Sequence, residues 1–212
     1  MASQSNANQL AENILRRSEG IDRFIVAIAG APCSGKSTLT ERLVSCLNIN
    51  QQNAAILQMD GFHYDNSLLM EKGWMSRKGA SHTFDVDGFR NTLSRIKRQQ
   101  EDVCVPIFDR NLELSRACAC IIKRDTRIVI VEGNYLLLDT PPWSTLKQLF
   151  DFTVFIEEEL QEVEKRSIAR WLHYGFNQEE AKEKTECNDL LNAKEVISNS
   201  IDADLKIKSV LG

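Results

Sequence analysis

The chain has 212 residues, enough for one sizeable hydrophobic core, and no linker-like stretch divides it, so a single domain over residues 1–212 is expected. With 26 basic against 30 acidic side chains, the net charge of −4 excludes the broad basic surface that nucleic acid or an anionic membrane rewards, and any anion site must be local. Six cysteines, at 33, 46, 104, 118, 120 and 187, form no C-x-x-C pair, which favours free thiols in a reducing compartment over disulfides or zinc.

Residues 1–20 are polar and carry both charge signs, with no apolar run of signal or spanning length, so a cytoplasmic protein without a membrane partner is expected. Leu10, Ile14 and Leu15 predict a short amphipathic helix at about 8–18, closed by Gly20. Strand patterns recur at 24–29, 54–59, 103–108, 127–131 and 152–156, mostly as continuous apolar runs, which means strands covered on both faces. Helix-period stretches at 38–47, 87–99, 143–150 and 160–173 lie between them, and 117–122 reads as an additional strand or a loop. Strand and helix alternate as a parallel α/β sheet requires, and right-handed crossovers bring the strand ends to one edge.

The first strand runs into Gly30, Ala31, Pro32, Cys33, Ser34, Gly35, Lys36 and Ser37, an uninterrupted G-x-x-x-x-G-K-[ST] sequence, and Thr38 opens the helix behind it. A glycine-opened turn at a helix N-terminus presents backbone N–H groups to a triphosphate. Lys36 adds a point charge for the β- and γ-phosphates, and Ser37 offers a hydroxyl to Mg²⁺. Cys33, beside a helix N-terminus and a lysine, is either a reactive thiol or a plain loop residue.

The second strand ends in Met59, Asp60, Gly61, Phe62 and His63. Phosphoryl transfer to an alcohol needs a group that orients the hydroxyl and takes its proton. Asp60 is the candidate; its rival role is a turn cap, and His63 is a substrate contact or structural. The run 127–131 closes in Glu132, Gly133, Asn134 and Tyr135, where an acid can hold Mg²⁺ directly or through water; Asn134 and Tyr135 touch the acceptor or belong to the core. Arg77 and Lys78 are candidate substrate contacts, which with Arg110 would suit an acceptor phosphate, and they precede Asp85, which either accepts from substrate hydroxyls or caps the next helix. Asp109 and Arg110, after the third strand, make a buried pair or a substrate clamp. Arg166 and Arg170 share a helix face, where they neutralise a transferring phosphoryl group as a lid at about 170–190 closes, or sit on a solvated face. Gly175 and the charged run 179–186 suggest that the lid is mobile.

The phosphate loop, Asp60 within Met-Asp-Gly-Phe-His, the Glu132–Gly133 pair and the Arg-bearing lid together resemble the phosphoribulokinase and uridine kinase family from residue 21 to about 205. Pantothenate kinase is similar at the Asp-Gly-Phe sequence. Longer strings, including residues 59–66, 77–80, 106–110 and 132–137, and Asn188-Asp189 with Asn192-Ala193, look like a bacterial branch labelled nucleoside/nucleotide kinase-like or fructose-transport-system kinase. The resemblance implies a three-layer α/β/α P-loop NTPase fold, a five-stranded parallel core of order 2-3-1-4-5 with a helical lid, and ATP and Mg²⁺ as cofactors. It also implies Asp60 as the catalytic carboxylate, Ser37 and Glu132 near the metal, and Asp85 near acceptor hydroxyls. Two departures stand out: Phe108, with no following His, replaces the Tyr and His with which uridine kinases hold a pyrimidine, and Gly175 is followed by Phe176 rather than Arg. The expected activity is γ-phosphoryl transfer to an alcohol of a sugar, a pantothenate-like or a nucleoside-like metabolite. A nucleotide monophosphate kinase and a non-enzymatic NTP-binding module are the alternatives, and a homodimer stays open.

Overall fold

The computed structural model describes residues 2–50 and 52–209; the remaining positions of the expected 1–212 domain, residues 1, 51 and 210–212, lie outside the described residues. Helix α1 (Ala2–Arg17) leads into β1 (Phe24–Gly30), α2 (Lys36–Ile49), β2 (Ala54–Gln58), a 3₁₀ turn (Met59–Phe62), α3 (Asn66–Glu71) and α4 (Val86–Arg98). A hairpin of β3 (Val103–Asp109) and β4 (Leu114–Ile122) precedes β5 (Ile128–Gly133), a 3₁₀ segment (Trp143–Leu149) and β6 (Phe152–Glu157). Helices α5 (Leu160–His173), α6 (Gln178–Lys184) and α7 (Leu190–Asn199), with a π-helical turn (Thr185–Asp189) between the last two, are followed by β7 (Leu205–Lys208).

The sheet is five-stranded and parallel, ordered β2-β5-β1-β6-β7. All seven residues of β1 are buried, because alternate side chains enter different cores. Phe24, Val26 and Ile28 pack with Leu10 and Ile14 of α1 and Leu39, Leu43 and Leu47 of α2. Ile25, Ala27 and Ala29 face Phe89 and Leu93 of α4, Trp143 and Val196 of α7. This is the three-layer α/β/α arrangement, and its two covered faces explain why the strands read as continuous apolar runs. Truncating one of these fully buried aliphatic chains to Ala is worth about 2–5 kcal/mol.

Strand membership differs from the sequence reading. The run 103–108 leaves the sheet and pairs antiparallel with 114–122, which settles the ambiguous segment as a strand. Pro106 is the physical reason: it lacks an N–H, the register shifts between Val105 and Ile107, and a central strand needs both edges bonded. The sheet's edge is instead β7, whose Leu205 and Ile207 alternate with Lys206 and Lys208, a half-buried pattern too short to stand out in the sequence. Residues 143–149 wind as 3₁₀ rather than α-helix. Cys104 and Cys118 are joined across the β3–β4 hairpin, against the expectation of free thiols throughout; the register pairs Cys104 with Ile121, and the irregularity opposite Val105–Ile107, where Cys118 takes a left-handed φ of 54°, brings the two Cα atoms to 4.9 Å. The charged run 179–186 is helical and capped, Asn177 accepting from Glu179 and Glu180 N–H while Glu180 returns a bond to Asn177 N–H. Among the described residues no helix is long and apolar enough to cross a membrane.

Candidate active site

The phosphate loop leaves β1 at Gly30, where a Cβ would lie 2.9 Å from Ile156 O and Ser34 Oγ, so only glycine lets the loop close on β6. Lys36 begins α2, is buried, and donates from Nζ to Ala31 O at 2.7 Å. Burial lowers its pKa; Glu132, Asp60 and Cys33 act to raise it, and Arg170 to lower it. Ser37 Oγ donates to Glu132, 3.1 Å from Oε2 and 3.3 Å from Oε1. Glu132 ends β5 beside β1 and is 7% exposed; desolvation, then Asp60, push its pKa up against Lys36, the Ser37 bond and Arg110.

These residues fit Mg-ATP. The loop is a cradle that a Cβ at Gly30 would obstruct, and it opens onto the first turn of α2, where N–H groups lack intrahelical partners. Ser37 and Glu132 supply the hard oxygen donors that Mg²⁺ takes, largely through water and phosphates, so a cage of protein ligands is not required. Ala31, Pro32, Ser34 and Lys36 are buried, Cys33, Gly35 and Thr38 are partly buried, and Ser37 is exposed.

Asp60 lies in the 3₁₀ turn directly after β2, whose end is level with Glu132 in the sheet register. A Cβ on Gly61 would meet Pro106 O at 2.5 Å, so the absence of a side chain there is what seats the hairpin on this turn. Ser115 Oγ donates to Gly61 O across the same junction, and Arg110, from the hairpin's connecting turn, pairs through Nη2 with Asp60 Oδ2. Arg110 and Lys78 lie over the Phe108 ring at 5.0 and 5.2 Å from its centroid. His63 stands against Phe84 at 4.0 Å and Phe108 at 5.3 Å, and burial first of all pushes it down to about 4, so its imidazole is neutral at pH 7.

Several residues expected on the substrate are engaged elsewhere. Asp85 caps α4, accepting from Gly88 N–H at 2.9 Å; it is exposed, and of its two readings the cap is the one formed. Asp109 accepts from Asn111 and Leu112 N–H and pairs with Arg116 at 3.1 Å, so the expected Asp109–Arg110 couple is split between two partners. Tyr135 is fully buried and donates to Gly79 O at 2.6 Å; burial raises its pKa well above the usual phenol range, which keeps it a neutral core group. Lys78 Nζ donates to Glu113 O at 2.7 Å, while Asn134 is partly buried at the end of β5.

Arg166 and Arg170 of α5 do turn towards the loop. Arg166 pairs with Glu158, donates to Cys33 O at 3.4 Å and to Ser209 Oγ at 3.0 Å. Arg170 Nη2 donates to both oxygens of Asp189 at 3.1 Å, and Trp171 Nε1 donates to Asp189 Oδ2 at 2.7 Å. Asp189 closes the π-helical turn and is 5% exposed; π-turns concentrate at functional sites. The sequence reading assigned it no role, although the Asn188-Asp189 string was the signal available. The same turn reaches the acceptor side: Arg77 donates to Cys187 O and Asn192 Oδ1, both at 2.8 Å, and Asn188 Nδ2 donates to Lys78 O at 2.8 Å.

A sequence model of the Phosphoribulokinase / Uridine kinase family matches residues 25–173. A Schizosaccharomyces pombe protein named as a candidate uridine kinase is 33% identical over 198 residues, covering 89% of this chain and 84% of its own. Pantothenate kinase of Coxiella burnetii is 32% identical over 161 residues, which are 71% of this chain and 50% of that enzyme. The crystal structure of a candidate fructose transport system kinase from Silicibacter superposes with a TM-score of 0.90 at 38% identity, covering 95% of this chain and 98% of that one.

Proposed function

The chain belongs to the Phosphoribulokinase / Uridine kinase family, and on that premise we propose that it is an ATP-dependent phosphotransferase moving the γ-phosphoryl group to an alcohol of a small metabolite. The observation that carries this reading is the convergence of separate stretches of chain on the phosphate loop: Ser37 donates to Glu132 at the end region of β5, and Asp60 follows β2 level with that same Glu132. A phosphate cradle alone would fit a hydrolase or a switch. A carboxylate across from it, next to a cleft with its own cations and aromatic walls, fits a kinase with a second substrate.

In this reading the loop from Gly30 to Ser37 and the first turn of α2 wrap the phosphates, and Lys36 neutralises charge on the group in flight. Ser37 and Glu132 would hold Mg²⁺, which would screen the phosphate oxygens. Asp60 orients the acceptor hydroxyl and takes its proton. Arg170, held by Asp189, and Arg166, beside Cys33, face the transferring phosphoryl group from a lid at about residues 170–190. The whole chain acts as one kinase domain. Relatives carry the names of uridine and pantothenate kinases, which supports an alcohol of a small metabolite as the acceptor.

The test is acceptor-dependent ADP release. Mg-ATP alone should turn over slowly, and addition of the correct alcohol should release ADP rapidly, with a gain of one phosphoryl group in the acceptor's mass. Rapid hydrolysis indifferent to every alcohol, or tight nucleotide binding with no turnover, would refute a kinase.

A further inference from the structure

We infer that the acceptor is a short hydroxy acid, in which a carboxylate lies one or two carbons from the hydroxyl that is phosphorylated. This rests on the phosphotransferase reading and narrows it. It begins with a conflict at Asp60. A base must present a carboxylate oxygen to the acceptor hydroxyl, yet Arg110 Nη2 is seated on Asp60 Oδ2 and competes for the carboxylate. The Arg110 side chain is 55% exposed on the hairpin turn and lies over the Phe108 ring.

The neighbouring carboxylates are committed. Asp109 is bound to Asn111, Leu112 and Arg116, Glu113 to Lys78, Glu132 to Ser37, and Asp85 to the start of α4. An incoming carboxylate therefore replaces Asp60 on Arg110 ion pair for ion pair, and Asp60 is released to the hydroxyl. A neutral acceptor would have to part the pair with nothing to offer in return. Lys78 lies 5.2 Å from the centroid of the same ring but is paired with Glu113, which leaves Arg110 as the cation an acceptor anion would meet. The Nδ1 atom of His63 is buried without a hydrogen-bond partner, a polar group left for the acceptor.

The contact also sets a length. Because Arg110 and Asp60 touch, the anion and the hydroxyl they hold must be near neighbours in the acceptor. A nucleoside has no anion, and in a pantothenate-like chain or a pentose phosphate the anion is many bonds away. In the transfer step the hydroxyl oxygen bonds to the γ-phosphorus as the bond to the β,γ-bridging oxygen breaks. ADP leaves with that electron pair, and the proton passes to Asp60.

The experiment measures ADP release by the full chain with Mg-ATP and matched probes: glycerate and 3-hydroxypropanoate against their amides and glycerol, with glycerol phosphate, pantothenate and uridine beside them. A thermal-shift titration of each acid runs in parallel. Expected is a kcat/KM at least about 10²-fold higher for an acid than for its amide, since a site built for a charge rejects the isostere lacking it. Arg110→Gln should erase that ratio chiefly through the acid's KM, and Arg110→Lys should restore part of it. Preference for uridine, pantothenate, glycerol or glycerol phosphate overturns the hydroxy-acid inference and leaves the kinase standing. Acids that bind in an Arg110-dependent way but release no ADP would sink the kinase reading instead. Acids that neither bind nor react overturn the inference.

Discussion

The nucleotide end and the acceptor end of this cleft are built in different ways. The phosphate loop is local: Lys36 bonds to Ala31, five positions away, inside a stretch anchored to a strand whose residues are all buried. The acceptor wall is stitched from distant chain: Asp60 to Arg110 spans 50 positions, Tyr135 to Gly79 spans 56, Asn188 to Lys78 spans 110, and Arg77 to Asn192 spans 115. The first arrangement is rigid because the sheet's packing supports it. The second hangs on polar contacts that are partly buried at Tyr135, Asn188 and Arg77 but exposed at Asp60–Arg110, where an ion pair is individually weak and therefore exchangeable. A cleft of this kind keeps its cofactor geometry fixed while the residues around the acceptor can rearrange or diverge.

The largest expected effects separate the two ends. Asp60→Asn should lower turnover by about 10²–10⁴-fold while Mg-ATP affinity holds, because the base acts on the acceptor hydroxyl and not on the phosphates. Lys36→Ala should weaken Mg-ATP binding and transfer together, since a buried cation at the phosphate cradle serves both states. Steady-state kinetics with calorimetric Mg-ATP titration reads both variants. Undiminished nucleotide affinity in Lys36→Ala, or normal turnover in Asp60→Asn, would break the division of labour.

The same contrast explains what the sequence disclosed. The phosphate loop, the apolar strands at 24–29 and 127–131 and the helix at 160–173 are carried by short spacings and unbroken periodicity, which need no knowledge of distant chain. The placement of Asp60 and Glu132 at strand ends was legible because each stands where an apolar run stops. The hairpin was not: 103–108 has a core strand's composition, and only Pro106 hints that it cannot be bonded on both edges. Nor could the sequence choose between cap and ligand for Asp85, or find that Arg110 bonds Asp60 rather than Asp109, since charge pairing across a cleft leaves no periodicity. Asp189 was hidden for the same reason, its partner lying on another helix.

Asp189 offers a smaller, sharper cut. Asp189→Asn keeps the acceptor oxygen for Trp171 Nε1 but removes the charge that holds Arg170 Nη2. Turnover should fall by about 10–10²-fold with little change in the KM for ATP, because a loosened arginine costs most where charge develops on the transferring group. Asp189→Glu should recover part of it. A proportionate loss in thermal midpoint with kcat intact would instead mark Asp189 as a stabiliser of the lid alone.

The smallest effect concerns His63, which joins the acceptor wall to the folding equilibrium. Its folded pKa of about 4 lies below the ordinary histidine value because burial outweighs the attraction of Asp60, with Lys78 and Arg110 adding repulsion. Between pH 6.5 and pH 4 the unfolded chain therefore binds more protons at this site than the native one, so this residue's contribution is fully present above pH 6.5 and declines as pH falls. From pH 7 to pH 5 the loss should be about 1–2 kcal/mol. Glu132, whose pKa is raised, contributes with the opposite sign over part of the acid range, so the wild-type slope alone mixes the two. The difference between wild type and His63→Gln in urea titrations at pH 7 and pH 5 isolates the imidazole. If that difference is the same at both pH values, His63 takes up its proton as readily in the native protein as in the unfolded chain, and the acceptor wall is wetter than its packing against Phe84 and Phe108 implies.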